Sequence, residues 1–141
     1  FYMVGGMGHS LSVSLGISLQ SKKEVICLDG DGSILMHMGS MFSCGFDKSI
    51  NLKHILLNNN SHESVGGQST NANKINFKFL SKALGYEKYY NLSKKKNINK
   101  ILKKFLNQRS SSFLEVITDK AFNHNLPRPK DLIKIKKEFI K

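Results

Sequence analysis

The chain has 141 residues, 40% of them apolar, and a formal net charge of +12. That is one domain by size, large enough to bury a core, and its longest apolar runs, about five residues, exclude a membrane-spanning helix. The charge is uneven: residues 1–93 hold 8 Lys and 6 acidic residues, whereas residues 94–141 hold 14 Lys or Arg and 4 acidic residues. With no nucleic-acid motif and few aromatics beside the Lys runs, the basic end reads as a solvated surface, not a nucleic-acid site.

The chain opens on Phe1-Tyr2-Met3-Val4, which reads as the middle of a strand, so a preceding N-terminal part is expected. Residues 8–19 read as a helix after a Gly-rich turn. Their apolar residues at 11, 13, 15, 17 and 19 alternate like a strand, while Ser12, Ser14, Gly16 and Ser18 fit the close packing of a buried helix. Residues 24–28 form a short apolar strand. Residues 33–44 carry apolar side chains at 34, 35, 38, 41 and 42, a helix face. Residues 53–57 make a second strand, and the polar, Gly-rich stretch 60–74 a long loop. Residues 76–84 predict a helix closed by Gly85, and residues 86–91 a strand. A helix over 94–107, a strand over 113–117 and a basic helix over 130–140 complete the order. Alternating strands and helices predict an α/β three-layer sandwich with a mostly parallel sheet. Cys27, on a strand, and Cys44, on a helix, read as small core residues of a reducing compartment. No secretory leader is visible, and the expected location is cytoplasmic.

Two strand ends carry chemistry. The first apolar run, Val25-Ile26-Cys27-Leu28, leads through Asp29 into Gly30-Asp31-Gly32-Ser33; the second, Ile55-Leu56-Leu57, leads into Asn58-Asn59. In a parallel sheet both turns fall beyond the carboxyl ends of strands, where ligands bind. A carboxylate and an amide oxygen there suit a hard cation such as Mg²⁺ holding a diphosphate. The glycines beside Asp31 allow backbone to approach a phosphate closely. The long loop contains His62, Glu63 and Gly66-Gly67; loops of this length in compact domains are usually functional or disordered.

Gly-Asp-Gly-Ser followed after residues 33–57 by Asn-Asn resembles the signature of thiamine diphosphate enzymes. The strings Gly5-Gly6-Met7-Gly8-His9, Met36-His37-Met38-Gly39 and His62-Glu63-Ser64-Val65-Gly66-Gly67-Gln68-Ser69-Thr70 narrow it. They resemble the phosphonopyruvate decarboxylases, a group that also holds sulfopyruvate decarboxylase, and Leu126-Pro127-Arg128-Pro129 fits the same group. The resemblance covers about residues 3–130 and is dense up to Thr70. It implies a thiamine diphosphate-binding fold, with residues 1–141 as the diphosphate-binding domain.

By that resemblance Asp31 is a Mg²⁺ ligand, the Asn59 side chain a second and the Ser61 backbone carbonyl a third. Because Asn60 follows the pair, the register is open by one residue and Asn58 is the alternative ligand. Gly30, Gly32 and Ser33 would face the diphosphate, and Gly6 and Met7 the aminopyrimidine ring, with an ordinary core Met as the other reading of Met7. His62 is the candidate catalytic residue, binding an acid oxygen of the substrate or moving a proton; a solvated loop His is the alternative. Gly66-Gly67 is a hinge or an anion-facing turn. His9 and His37 are shared with the group without a separable role, and His54 and His124 read as incidental. The implied reaction is decarboxylation of a small 2-oxo acid, 3-phosphonopyruvate to phosphonoacetaldehyde and CO₂, or the sulfonate counterpart; the chemistry belongs mostly to the cofactor. The Glu that activates the aminopyrimidine in such enzymes has no counterpart near these motifs. Half a site is therefore expected, completed by a pyrimidine-binding domain or subunit in a homo- or hetero-oligomer.

Overall fold

The computed structural model describes residues 1–47, 51–93, 97–120 and 129–140. In chain order the elements are helix α1 (Ser10–Gln20), strand β1 (Val25–Gly30), helices α2 (Asp31–Met36) and α3 (Gly39–Phe46), strand β2 (Leu52–Asn58), helix α4 (Phe77–Ala83), strand β3 (Lys88–Leu92), helix α5 (Ile98–Leu106), strand β4 (Ser112–Ile117) and helix α6 (Leu132–Phe139). The four strands pair in parallel in the order β1-β2-β4-β3. Strand residues alternate between faces, and two cores result. Cys27, Leu52, Leu56 and Phe113 meet Leu11 of α1, Ile34 of α2, Met41 and Cys44 of α3 and Phe77 of α4 on one face. Leu92 and Leu114 meet Phe105 of α5 on the other. Helices therefore cover both faces, as the α/β three-layer expectation requires.

The helix expected over residues 8–19 forms as α1 despite its alternating pattern. Its inward residues are Leu11, half-buried Leu15 and Ser18, spaced four and three apart like one helix face. Of the small residues, Ser18 is buried and Ser14 half-buried, whereas Ser12 and Gly16 are exposed; α1 packs on β1 and α3, and the Ser18 hydroxyl donates to Leu15 O at 2.8 Å.

The helix expected over 33–44 is two helices. His37 breaks it with φ −139° and ψ 53°, outside the helical region. Its ring lies against His9, centroids 4.3 Å apart, and over Gly8, where a Cβ would come within 2.4 Å of the His37 ring. Gly8 also has φ +88°, so both backbone shape and contact demand glycine there. The kink thus trades helix continuity for packing between the turn that begins α1 and the break between α2 and α3.

Other boundaries shift modestly. Residues 1–4 form no strand, and β3 runs two residues later than its predicted start. Asn76 caps α4 by accepting from Phe79 N at 3.2 Å, and Gly85 at φ +92° closes it as expected. Loop 60–74 contains two short 3₁₀ turns, Glu63–Val65 and Ala72–Lys74. The first residues of the helix expected over 94–107, His124, and the Leu126-Pro127-Arg128 part of the quoted string lie outside the described residues.

Candidate diphosphate and metal site

β1 and β2 are neighbours with Gly30 opposite Leu57, so Asp31 and the Asn run leave the sheet side by side at its carboxyl edge. An open cleft of about 2060 Å³ lies there, lined by Gly6, Met7, Gly30, Asp31, Gly32, Ser33, Asn59, Ser61 and His62 together. Every candidate ligand and catalytic residue named from the sequence is among them except Asn58, the alternative ligand. Asp31 is only 2% exposed at the first position of α2, and its Oδ2 accepts a hydrogen bond from the Thr70 hydroxyl.

The asparagines divide three tasks. Asn58 is buried, donates from Nδ2 to Glu115 Oε1 at 2.9 Å and accepts the Asn60 N–H on Oδ1 at 3.1 Å. Its backbone carbonyl accepts from Thr118 N at 2.9 Å, which keeps β2 paired with β4 to its last residue. Asn59 is the member that lines the cleft; its Oδ1 accepts the Ser61 N–H at 3.0 Å. Asn60 turns the chain in the left-handed region, φ 56°, a conformation Asn tolerates better than most residues. Its side chain then reaches the far end of the loop, donating to Ser69 Oγ at 3.3 Å and accepting from Asn73 N at 3.2 Å. Of the two registers the sequence left open, Asn59 is the residue that lines the cleft.

A second polar group underlies the Gly-Asp-Gly-Ser turn. Ser33 Oγ accepts the Gly8 N–H at 2.9 Å, tying the start of α2 to the turn before α1. Asp29 is 5% exposed and accepts Gly30 N at 3.1 Å. Burial pushes its carboxyl up, but the His54 ring and the Ser33 hydroxyl beside it outweigh that and hold it below the usual carboxylate range. His54 is fully buried, with Nδ1 2.9 Å from the Tyr86 hydroxyl and Nε2 facing Asp29 Oδ2 at 3.8 Å. Burial lowers its pKa, against the pull of Asp29. His54 is therefore no incidental histidine: it is a core residue linking the aromatic layer, Phe113 at 4.9 Å between centroids, to the carboxylate under the cleft. Burial raises the Cys27 thiol to about 11 and that of Cys44 to about 12, in keeping with unreactive core thiols.

His62 sits over Gly32. A Cβ on Gly32 would lie 2.4 Å from His62 Nδ1 and 2.7 Å from Cε1. The backbone of His62 is fixed as well, its N–H donating to Gln68 O at 2.8 Å and its carbonyl accepting from Val65 and Gly67 N at 3.0 Å each. Gly66 and Gly67 both have positive φ, 122° and 77°, which makes 62–68 a closed turn. Sequence reasoning missed Thr70, Glu115 and Asp29 as supports. Only Thr70 carried a signal, as the end of a quoted string.

The donor set at the cleft is a carboxylate, a side-chain amide oxygen and backbone carbonyls, all hard oxygens, which fits Mg²⁺ and not a soft transition metal. Asp31 reinforces the fit: a buried carboxylate with a hydroxyl partner is favourable if a cation neutralises it.

Residues 1–116 match the family model described as thiamine pyrophosphate enzyme, C-terminal TPP binding domain. The chain is 42% identical over 86 residues to phosphonopyruvate decarboxylase of Streptomyces viridochromogenes, covering 61% of this chain and 22% of that one. It is 36% identical over 128 residues to sulfopyruvate decarboxylase of Methanosarcina acetivorans, covering 90% and 33%. It is 32% identical over 126 residues to sulfopyruvate decarboxylase subunit beta of Methanocaldococcus jannaschii, covering 89% and 65%. Among solved structures, the thiamine diphosphate-dependent 4-hydroxybenzoylformate decarboxylase of Rhodococcus jostii RHA1 aligns with TM-score 0.67 and 25% identity, over 82% of this chain and 24% of that one. The chain thus spans about a fifth of the Streptomyces relative and less than two thirds of the others. With the family model covering most of its length and the glycine-flanked Asp31 and Asn59 on one cleft, the chain belongs to the thiamine pyrophosphate enzymes, through their C-terminal TPP-binding domain.

Proposed function

We propose that the chain is the diphosphate-binding half of a thiamine diphosphate- and Mg²⁺-dependent decarboxylase that converts 3-phosphonopyruvate to phosphonoacetaldehyde and CO₂ in phosphonate biosynthesis of the 2-aminoethylphosphonate type. The observation that carries the reading is the meeting of Asp31 and Asn59 on one cleft at adjacent strand ends. Asp31, Asn59 and the Ser61 carbonyl hold Mg²⁺. The backbone of Gly30, Gly32 and Ser33 receives the diphosphate; the Ser33 hydroxyl is engaged by Gly8 N and serves to join the two turns. Gly6 and Met7 border the cleft where the aminopyrimidine ring would lie. When bound, thiamine diphosphate supplies the electron sink on which a 2-oxo acid loses CO₂. His62 meets the substrate's acid group or moves a proton.

The other half of the site comes from a pyrimidine-binding domain or subunit in a cytoplasmic homo- or hetero-oligomer. Ile26, Leu28 and Leu57 support that reading: they stand 49%, 61% and 41% exposed on the sheet face away from α1–α4, at the wall of the cleft. The chain alone is expected to be inactive.

A second reading, sulfopyruvate decarboxylation, is favoured by the Methanosarcina relative, whose match covers 90% of this chain. The loop string from His62 to Thr70 and the higher identity to the Streptomyces enzyme favour the phosphonate. Turnover of the two acids by the assembled enzyme, compared as kcat/KM, decides between them. Asp31→Ala should abolish Mg²⁺-dependent binding of thiamine diphosphate in calorimetry; unchanged affinity refutes the metal site.

A further inference from the structure

We propose that Thr70 is a positioning residue for the metal-binding carboxylate, and that loop residues 69–73 fix both ligand arms at once; the inference rests on Asp31 and Asn59 being the metal ligands. Thr70 is 9% exposed and lies behind Asp31. Its Oγ1 accepts the Ala72 N–H at 3.3 Å, so its own proton is the one directed to Asp31 Oδ2. That bond stops rotation of the carboxyl group about its last torsion, which is otherwise broad. It spends Oδ2 and leaves Oδ1 for a cation.

The same stretch holds the other arm. Ser69 Oγ accepts from Asn60 Nδ2 at 3.3 Å and from Asn71 N at 3.2 Å, and Asn60 Oδ1 accepts from Asn73 N. Asn60 directly follows the ligand Asn59, whose amide oxygen is turned by Ser61 N. Ala72, fully buried in the larger core, anchors the stretch. Asp31 through Thr70, and Asn59 through Asn60, are therefore referenced to one five-residue segment. A metal of strict octahedral preference gains from ligands held at fixed separation, and residues that orient ligands typically contribute about 10–100-fold in metal affinity.

The test is the apparent Kd for Mg²⁺ at saturating thiamine diphosphate, by calorimetry on the assembled enzyme, with thermal unfolding of the metal-free protein beside it. Thr70→Val removes the hydroxyl at nearly constant volume. It should weaken Mg²⁺ by about 10–100-fold and leave the metal-free midpoint within a few degrees of wild type. Thr70→Ser, which keeps the donor, should restore affinity to within about threefold of wild type. If Thr70→Val fails to fold, Thr70→Ala against Thr70→Ser is the equivalent pair. Wild-type Mg²⁺ affinity in a hydroxyl-free variant, or a Thr70→Ser variant as weak as Thr70→Val, overturns the positioning role while the metal site stands. A wild-type enzyme that binds the cofactor without any metal overturns the functional reading itself, and this inference with it.

Discussion

Gly32→Ala separates catalysis from stability. The added Cβ would stand 2.4 Å from His62 Nδ1, where ordinary contact needs 3.4–4 Å; the ring has to retreat by about 1 Å. His62 is half-exposed on a loop, so the retreat is a swing of a side chain and not a shift of backbone. Overpacking costs about 1–3 kcal/mol in a rigid core; here the cost falls at the low end, about 1 kcal/mol. Replacing Gly by Ala within a helix returns up to about 1 kcal/mol, so net stability should change by less than about 1 kcal/mol. A displacement of about 1 Å in a group aligned with the reacting atoms costs about 10²-fold in rate. The expected result is a kcat, at saturating cofactor, lower by about two orders of magnitude, with an unfolding midpoint close to wild type. The control is His62→Ala: if the ring is the cause, adding Gly32→Ala to it should change kcat no further. A Gly32→Ala enzyme that keeps kcat within threefold of wild type would remove His62 from the chemistry.

Asn58→Leu and Asn59→Leu should part company. The first leaves buried Glu115 short of one donor and should cost about 1–3 kcal/mol in denaturant unfolding, whereas the second should cost little stability and most of the Mg²⁺ affinity; the reverse pattern would reassign the ligand to Asn58. For His54 the folded pKa is lowered from 6.5, so below 6.5 the unfolded chain binds a proton that the folded chain refuses, and stability falls with falling pH by up to about 1.4 kcal/mol per unit. Thermal unfolding of wild type and His54→Gln between pH 7.5 and 5 checks this: the wild-type slope should be steeper, and parallel profiles would show that His54 does not titrate against folding. Gly45→Ala places a Cβ 2.0 Å from the Leu84 carbonyl oxygen, and neither backbone can yield cheaply; a loss of about 3 kcal/mol or more is expected. Gly16→Ala, with nothing within 4 Å, should gain up to about 1 kcal/mol, and a stabilised Gly45→Ala protein would contradict the packing of α3 on the end of α4.

The site was more legible in the sequence than the elements around it. Asp31 and Asn59 are specified by short-range chemistry: a glycine turn after one apolar run and an amide pair after the next. A parallel sheet brings such turns together whatever the helices do. The helix break at His37 could not be read from periodicity, because its cause is a contact across 28 residues, the His9 ring against its own. The helix read over residues 8–19 forms as α1 despite its strand-like alternation: small residues between the larger ones make period two and period four look alike, and packing on β1 decides. His54 looked incidental because its partners, Asp29 and Tyr86, are 25 and 32 residues away and meet it only when β1 lies beside β2 and the α4 end folds over both.

The run of three asparagines shows why the supporting residues were harder to see than the ligand. One residue type serves three geometries: Asn58 as a strand-end crosslink to Glu115, Asn59 as the oxygen on the cleft, Asn60 as a left-handed corner that fastens the loop. Identical side chains give sequence reasoning no way to rank them, and spacing from Asp31 leaves the register open by one. Pairing settles it. β2 stays bonded to β4 through the Asn58 carbonyl, which turns the Asn58 side chain toward Glu115, the residue pleated onto the same face of β4. The next residue, Asn59, lies beyond the ladder and lines the cleft. The position of a candidate ligand thus follows where the sheet stops, and Glu115, buried beneath three side-chain donors from Asn58, Tyr89 and Asn91, holds the side chain of the last strand residue away from the cleft.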